Sequence, residues 1–101
     1  MKLSISPGQV YTFKLNSGEE LISKVSAVTD DWLEIEHPVS VAPGPQGMGL
    51  VPSLFTADPE SEVTVNISSV AMIAPVREDV GDSYLEATTG IKPVRNKILM
   101  G

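Results

Sequence analysis

The sequence has no cysteine, which excludes disulfides, thiol catalysis and cysteine-ligated zinc together. It has a single histidine, His37, so a histidine-rich metal site cannot form within one chain. No segment approaches the ~20 consecutive apolar residues that a membrane span needs, and no apolar leader follows Met1-Lys2. The expectation is therefore a soluble cytoplasmic protein with no metal, no other cofactor and no membrane partner. Cations are also scarce: 7 basic residues stand against 13 acidic ones, for a net charge of −6. Phosphate contacts by Lys and Arg supply nonspecific affinity for nucleic acid, so such a chain needs a local site, or several subunits sharing one, to bind it. Aromatic residues are few: Tyr11, Phe13, Trp32, Phe55 and Tyr84.

What remains is ordinary globular composition, 42% hydrophobic and 20% charged over 101 residues, enough for one domain with one core. Residues 10–15 (VYTFKL) are strand formers with Tyr11, Phe13 and Leu15 on one face. Asn16-Ser17-Gly18 is a tight-turn sequence, because asparagine and glycine tolerate positive φ. The return strand runs on to Val28 with imperfect alternation, which predicts a bend or bulge around Ser23–Ala27. Thr29-Asp30-Asp31 makes the next turn. From Trp32 the alternation restarts, with Leu33 and Ile35 towards the core and Glu34 and Glu36 towards water; Pro38 marks an edge or a kink.

Residues 42–49 read as a loop on their glycine and proline content, and Leu50–Ala57 as a fourth strand interrupted by Pro52. Residues 63–76 hold one bent strand or two short ones. Only the end of the chain has helical spacing, at Val80, Tyr84, Ala87 and Ile91, with Gly90 as a stop. Lys92, Arg95 and Lys97 follow in a loose arm that reads as an ordinary solvated tail, the other reading being a phosphate-contacting arm. The hairpin FKLNSGEELISKV has an over-long second strand, and a long strand that bends can serve both halves of a small barrel. The predicted fold is all-β: a strongly bent five-stranded antiparallel barrel of the SH3-like kind, near 10–16, 19–29, 32–42, 49–57 and 63–76. The barrel occupies 1–76, and 77–101 forms a short C-terminal helix and tail.

The stretch Val10–Ile35 resembles the first sequence motif of the Sm/LSm family: hydrophobic strand, short glycine-containing turn, long curved strand, acidic turn, third strand. Ile67-Ser-Ser-Val-Ala-Met-Ile-Ala-Pro75 is similar to the last strand of bacterial Sm-like RNA chaperones. The whole chain looks most like Sm-like proteins from marine metagenomes attributed to cyanophages, which would place it in the host cell cytoplasm. The resemblance implies a homo-oligomeric ring that binds single-stranded RNA or DNA, without enzymatic activity, in RNA or DNA processing. A phage assembly or regulatory module that uses the barrel for protein contacts alone is the other function it leaves open. The departures are specific. Where the family has Asp-x-x-Met-Asn, this chain has Thr29-Asp30-Asp31-Trp32-Leu33; where it has Arg-Gly before the last strand, this chain has Asn66-Ile67-Ser68-Ser69. The family's uridine pocket does not carry over intact.

Trp32 beside Asp30 and Asp31 suits a base-stacking platform flanked by hydrogen-bonding carboxylates. The plainer reading, which the frequency of aspartate in turns favours, makes Trp32 a strand-start core residue and the aspartates turn formers. Asn66, Ser68 and Ser69 suit base-edge contacts or simple turn chemistry equally well. Leu50, Val51, Leu54, Val70, Met72 and Ile73 lie on the two segments without Lys or Arg, and these are the expected subunit interface. Acidic pairs such as Glu19-Glu20 and Glu34/Glu36 read as solvated faces. No nucleophile motif, phosphate loop or dinucleotide fingerprint is present, and no catalytic residue is assigned.

Overall fold

A computed structural model describes residues 4–90. Six strands form one antiparallel sheet: β1 Val10–Leu15, β2 Glu20–Val28, β3 Trp32–Gly44, β4 Gly47–Pro52, β5 Val63–Asn66 and β6 Val70–Pro75. One helix, α1, covers Glu78–Thr89. The neighbour order is β4-β3-β2-β1-β6, and β5 pairs with the first residues of β3. All-β with a short C-terminal helix is therefore the architecture. The sheet is open and has six strands rather than five: among the described residues no ladder joins β4 or β5 to β6.

Two strand boundaries differ from the sequence reading. Residues 42–49 are not a loop but the end of a hairpin, with Val41 opposite Leu50 and Gly44 opposite Gly47. A ladder needs only backbone groups, and Pro45-Gln46 turns the corner with Gly47 at φ 103. The fourth strand ends at Pro52 instead of running to Ala57. The span 63–76 divides in two around a 3-10 turn, Ile67–Ser69, which Asn66 caps by accepting from the Ser68 N–H.

Two irregularities bend the long hairpin. Ile22 faces Val39 while Lys24 faces Glu36, so His37 and Pro38 together oppose Ser23. Further on, Val25 faces Ile35 and Ala27 faces Glu34, which leaves Ser26 as the extra residue of β2. One extra residue per strand sharpens the local twist, which accounts for the bend. His37 sits at φ 50, a left-handed conformation uncommon outside glycine, immediately before the proline.

The bend produces two apolar clusters on opposite faces of β2. The first buries Tyr11, Phe13, Leu21, Val25, Leu33 and Ile35, every one from β1–β3. The second buries Ile22 and Val39 under Tyr84 of α1, with Val10, Val41, Leu50, Val76 and Val80 around them. Tyr84 also mends the first irregularity. Its hydroxyl accepts from the Lys24 N–H at 3.1 Å and donates to the Glu36 carbonyl at 2.7 Å, groups the bulge has pushed apart. The wholly buried Ser23 donates to the same carbonyl at 2.7 Å. Burial pushes the Tyr84 phenol above its usual range, with the Lys24 N–H and Ser23 hydrogen bonds opposing the shift and the charge of Glu36 reinforcing it. Gly81 has a packing role: a Cβ there would meet Val76 Cγ1 at 3.2 Å. Gly90 stops the helix at φ 76, its N–H bonding the Glu86 carbonyl.

Candidate nucleic-acid interface

The turn after β2 and the 3-10 turn before β6 meet at one end of the sheet. Thr29 closes the first turn, its N–H donating to the Trp32 carbonyl at 2.9 Å and its Oγ1 accepting from the Trp32 N–H at 3.1 Å. The antiparallel register sets Trp32 opposite Asn66, and the Ile67 N–H donates to the Asp31 carbonyl at 2.9 Å. Asn66 Oδ1 accepts from Ser68 N and from Ser68 Oγ, at 2.9 and 2.7 Å. The structure thus brings Asp31, Trp32, Asn66 and Ser68 together, with Asp30 one residue away in the same turn. Ser69 enters through its carbonyl, which accepts from the Asn16 N–H at 2.8 Å.

Asn16 is the residue that sequence reasoning missed. Besides that backbone bond, its Nδ2 donates to the Ser68 carbonyl at 2.7 Å. The β1–β2 turn therefore buttresses the 3-10 turn from 52 residues away. In the sequence, Asn16 signals only a turn, because nothing local announces a long-range partner.

Trp32 is 44% exposed, which overturns its reading as a core residue. Leu33 and Ile35 are fully buried, and strand parity sends Trp32 to the opposite face. Asn66, Ser68, Ser69, Asp30 and Asp31 are exposed as well. The Asn66 amide nitrogen, the Trp32 indole nitrogen and both aspartate carboxylates bond to no described residue. Chemically, this is a flat ring with an amide donor and carboxylate acceptors beside it. Such a set can stack a base and exchange hydrogen bonds with its edge. It has little charge to offer phosphates, since Lys14, Lys24 and Arg77 are the only cations among the described residues. Arg77 is engaged in a two-pronged pair with Asp79 at the start of α1, with contacts of 2.6 and 3.1 Å. Lys92, Arg95 and Lys97 lie outside the described residues.

The six residues expected at a subunit interface divide by face. Leu50 packs into the cluster under α1, and Val70 and Ile73 pack against the cluster of Phe13. Val51, Leu54 and Met72 are exposed, at 39%, 52% and 68%. No group of three or more His, Asp or Glu gathers among the described residues as a metal ion would require. No described helix is long and apolar enough to cross a membrane. No family model matches the chain, and no curated protein matches it in sequence.

Proposed function

We propose that the protein is an Sm-like, non-enzymatic nucleic-acid-binding subunit whose open sheet completes a small barrel and associates edge to edge in a homo-oligomeric ring. The carrying observation is the exposed indole of Trp32 held opposite Asn66, with Asp30, Asp31 and Ser68 around it. A ring repeats this patch once per subunit and so presents a row of stacking surfaces to a single strand of RNA or DNA. The edge strands β4 and β6 carry no Lys or Arg, and Met72 on β6 is exposed, which supports pairing between neighbours.

Fluorescence anisotropy with short U-rich, A-rich and mixed RNA and DNA oligomers tests the binding. Salt-sensitive affinity at or below about 10 μM, equivalent to about 7 kcal/mol of binding or more, is expected; no binding there would end the reading. Light scattering tests the ring, and Met72→Lys should weaken it. Ile73→Lys is not equivalent, because Ile73 packs against the core.

One observation favours the second reading, a phage assembly or regulatory module that contacts proteins alone. All 13 carboxylates of the chain fall within residues 19–86, against three cations in the described residues. Pull-down from infected host lysate with and without nuclease separates the two. Partners that disappear after nuclease treatment would sink the protein-only reading.

A further inference from the structure

Strand parity puts more than the indole on the outer face of β3 and β5. Val63 and Val65 of β5 pack against the Phe13 cluster, to which Leu33 and Ile35 of β3 belong. Trp32, Glu34, Thr64 and Asn66 therefore share the opposite face, with Trp32 across from Asn66 and Glu34 across from Thr64. Trp32, Thr64 and Asn66 are exposed there, and Glu34 is half-buried. On the β2 side Glu34 faces Ala27, so a short side chain flanks it in each direction. Its backbone carbonyl accepts from Ser26 Oγ at 3.0 Å, and its carboxylate has no partner among the described residues.

The hydrogen-bonding character of Asn66 is fixed as well. A backbone N–H can only donate, so the atom 2.9 Å from Ser68 N is the amide oxygen. Ser68 Oγ donates to that oxygen too, at 2.7 Å, which leaves the amide NH2 group as the part a ligand meets. Across an antiparallel ladder, directly opposed Cβ atoms lie about 4.5–5.5 Å apart and diagonal neighbours about 7–8 Å. The indole thus has a donor, Asn66, directly opposite and a carboxylate, Glu34, diagonal to that donor. A base stacked on Trp32 can reach both. The four kinds of base edge meet this pair unequally. Uracil and thymine set N3–H between two carbonyl oxygens, which a carboxylate repels. Adenine and cytosine offer it one amino group beside a ring-nitrogen lone pair. Guanine alone offers two adjacent donors, N1–H and N2–H2, for both oxygens of a carboxylate, and turns O6 towards a donor. We propose that the outer β3–β5 face selects guanine in a single strand, stacked on Trp32, with O6 accepting from Asn66 and N1–H and N2–H2 donating to Glu34. The assignment rests on the nucleic-acid reading and deepens it, giving Glu34 the part of a specificity residue.

Fluorescence anisotropy with a short oligouridine, and with the same strand carrying one central guanine, adenine, cytosine or inosine, tests it. The guanine strand should bind at least about 5-fold more tightly than the all-uridine one, the lower end of what a two-pronged base contact discriminates. Inosine lacks the N2 amino group and should give up most of that gain. Glu34→Gln should weaken the guanine strand and tighten the all-uridine one, because the repelling charge is gone, and so bring their ratio close to one. Asn66→Asp keeps the acceptor that Ser68 uses but removes the donor, and should also erase the preference. A merely structural role for either residue would lower every affinity alike. Competition with guanosine monophosphate separates the two sources of the base: displacement of the guanine strand by an equimolar amount would make a free nucleotide the ligand and refute the strand assignment. If no oligomer binds, the nucleic-acid reading falls and this one with it. If oligomers bind without preferring guanine, or the preference survives Glu34→Gln, the guanine assignment alone is refuted.

Discussion

The two apolar clusters differ in what encloses them. The Phe13 cluster is shut by the strands themselves: Phe13, Val25, Leu33 and Ile35 are buried from neighbouring strands whose backbones are hydrogen-bonded to one another. The Tyr84 cluster is a sheet face covered by one helix, and its lid depends on a phenol that reaches into a break in the β2–β3 ladder. The first is the nucleus of the fold. The second is an attachment that restores hydrogen bonds the bend has cost, so the two should fail separately.

The largest effect should come from Phe13→Ala, which opens a cavity in the strand-enclosed cluster. Truncating a fully buried phenylalanine costs about 3–5 kcal/mol, a large share of the about 5–15 kcal/mol that holds a domain of this size folded. Chemical denaturation followed by circular dichroism measures it. A loss below about 1 kcal/mol would show that this cluster is not the principal core.

Tyr84→Phe comes next and tests the attachment alone. It keeps the ring in place but strands the Lys24 N–H, while the Glu36 carbonyl retains Ser23. One orphaned, partly buried group costs about 1–3 kcal/mol. Hydrogen exchange should locate the loss in α1 and the middle of β2 rather than throughout the sheet. The same hydroxyl gives the protein an alkaline limit. The folded state holds the Tyr84 proton more tightly than the unfolded chain, whose phenol titrates near 10. This stabilisation is complete below pH 10 and is lost as pH rises from there through the higher folded value. Denaturation midpoints measured from pH 9 to 12 should therefore fall less steeply in Tyr84→Phe.

The difference between the clusters also sets what the sequence reveals. Alternation at Tyr11/Phe13 and Leu33/Ile35 is local, and it announces the strand-enclosed cluster directly. The bend near Ser23 was legible as broken alternation, and the helix as the spacing of Val80, Tyr84 and Ala87; Ile91, the fourth position of that spacing, lies outside the described residues. The pairing of Tyr84 with Lys24 was not, because 60 residues separate them and a tyrosine at helical spacing looks like any core aromatic. The hairpin after Pro38 was hidden for a different reason. Gly44, Gly47 and Gly49 carry no side chains to alternate, yet they pair through backbone groups that composition does not report. At the candidate site the turn sequences were legible. Their meeting depended on the β3–β5 register and on Asn16.

The smallest stability effect should be that of Trp32→Ala, because Trp32 belongs to neither cluster. Hydrophobicity argues for burying a tryptophan, but parity with Leu33 and Ile35 puts it on the face of Glu34, and parity prevails. At 44% exposure, with an exposed asparagine opposite, it forfeits on truncation only part of what a buried aromatic would. About 1–2 kcal/mol is expected, against about 3–5 for Phe13→Ala. Binding should behave in the opposite way. If the indole stacks a base, its removal weakens binding to single-stranded oligomers by about 1–3 kcal/mol, a loss of roughly 5- to 150-fold. Melting and anisotropy on the same preparation resolve the matter. A large fall in stability would place Trp32 with the Phe13 cluster after all, and unchanged affinity in a protein that binds would remove the indole from the interface. The expected pairing, modest destabilisation with a pronounced loss of binding, is the signature of an aromatic residue held outside both cores, because burial in either would stabilise the fold at the expense of the surface a base needs.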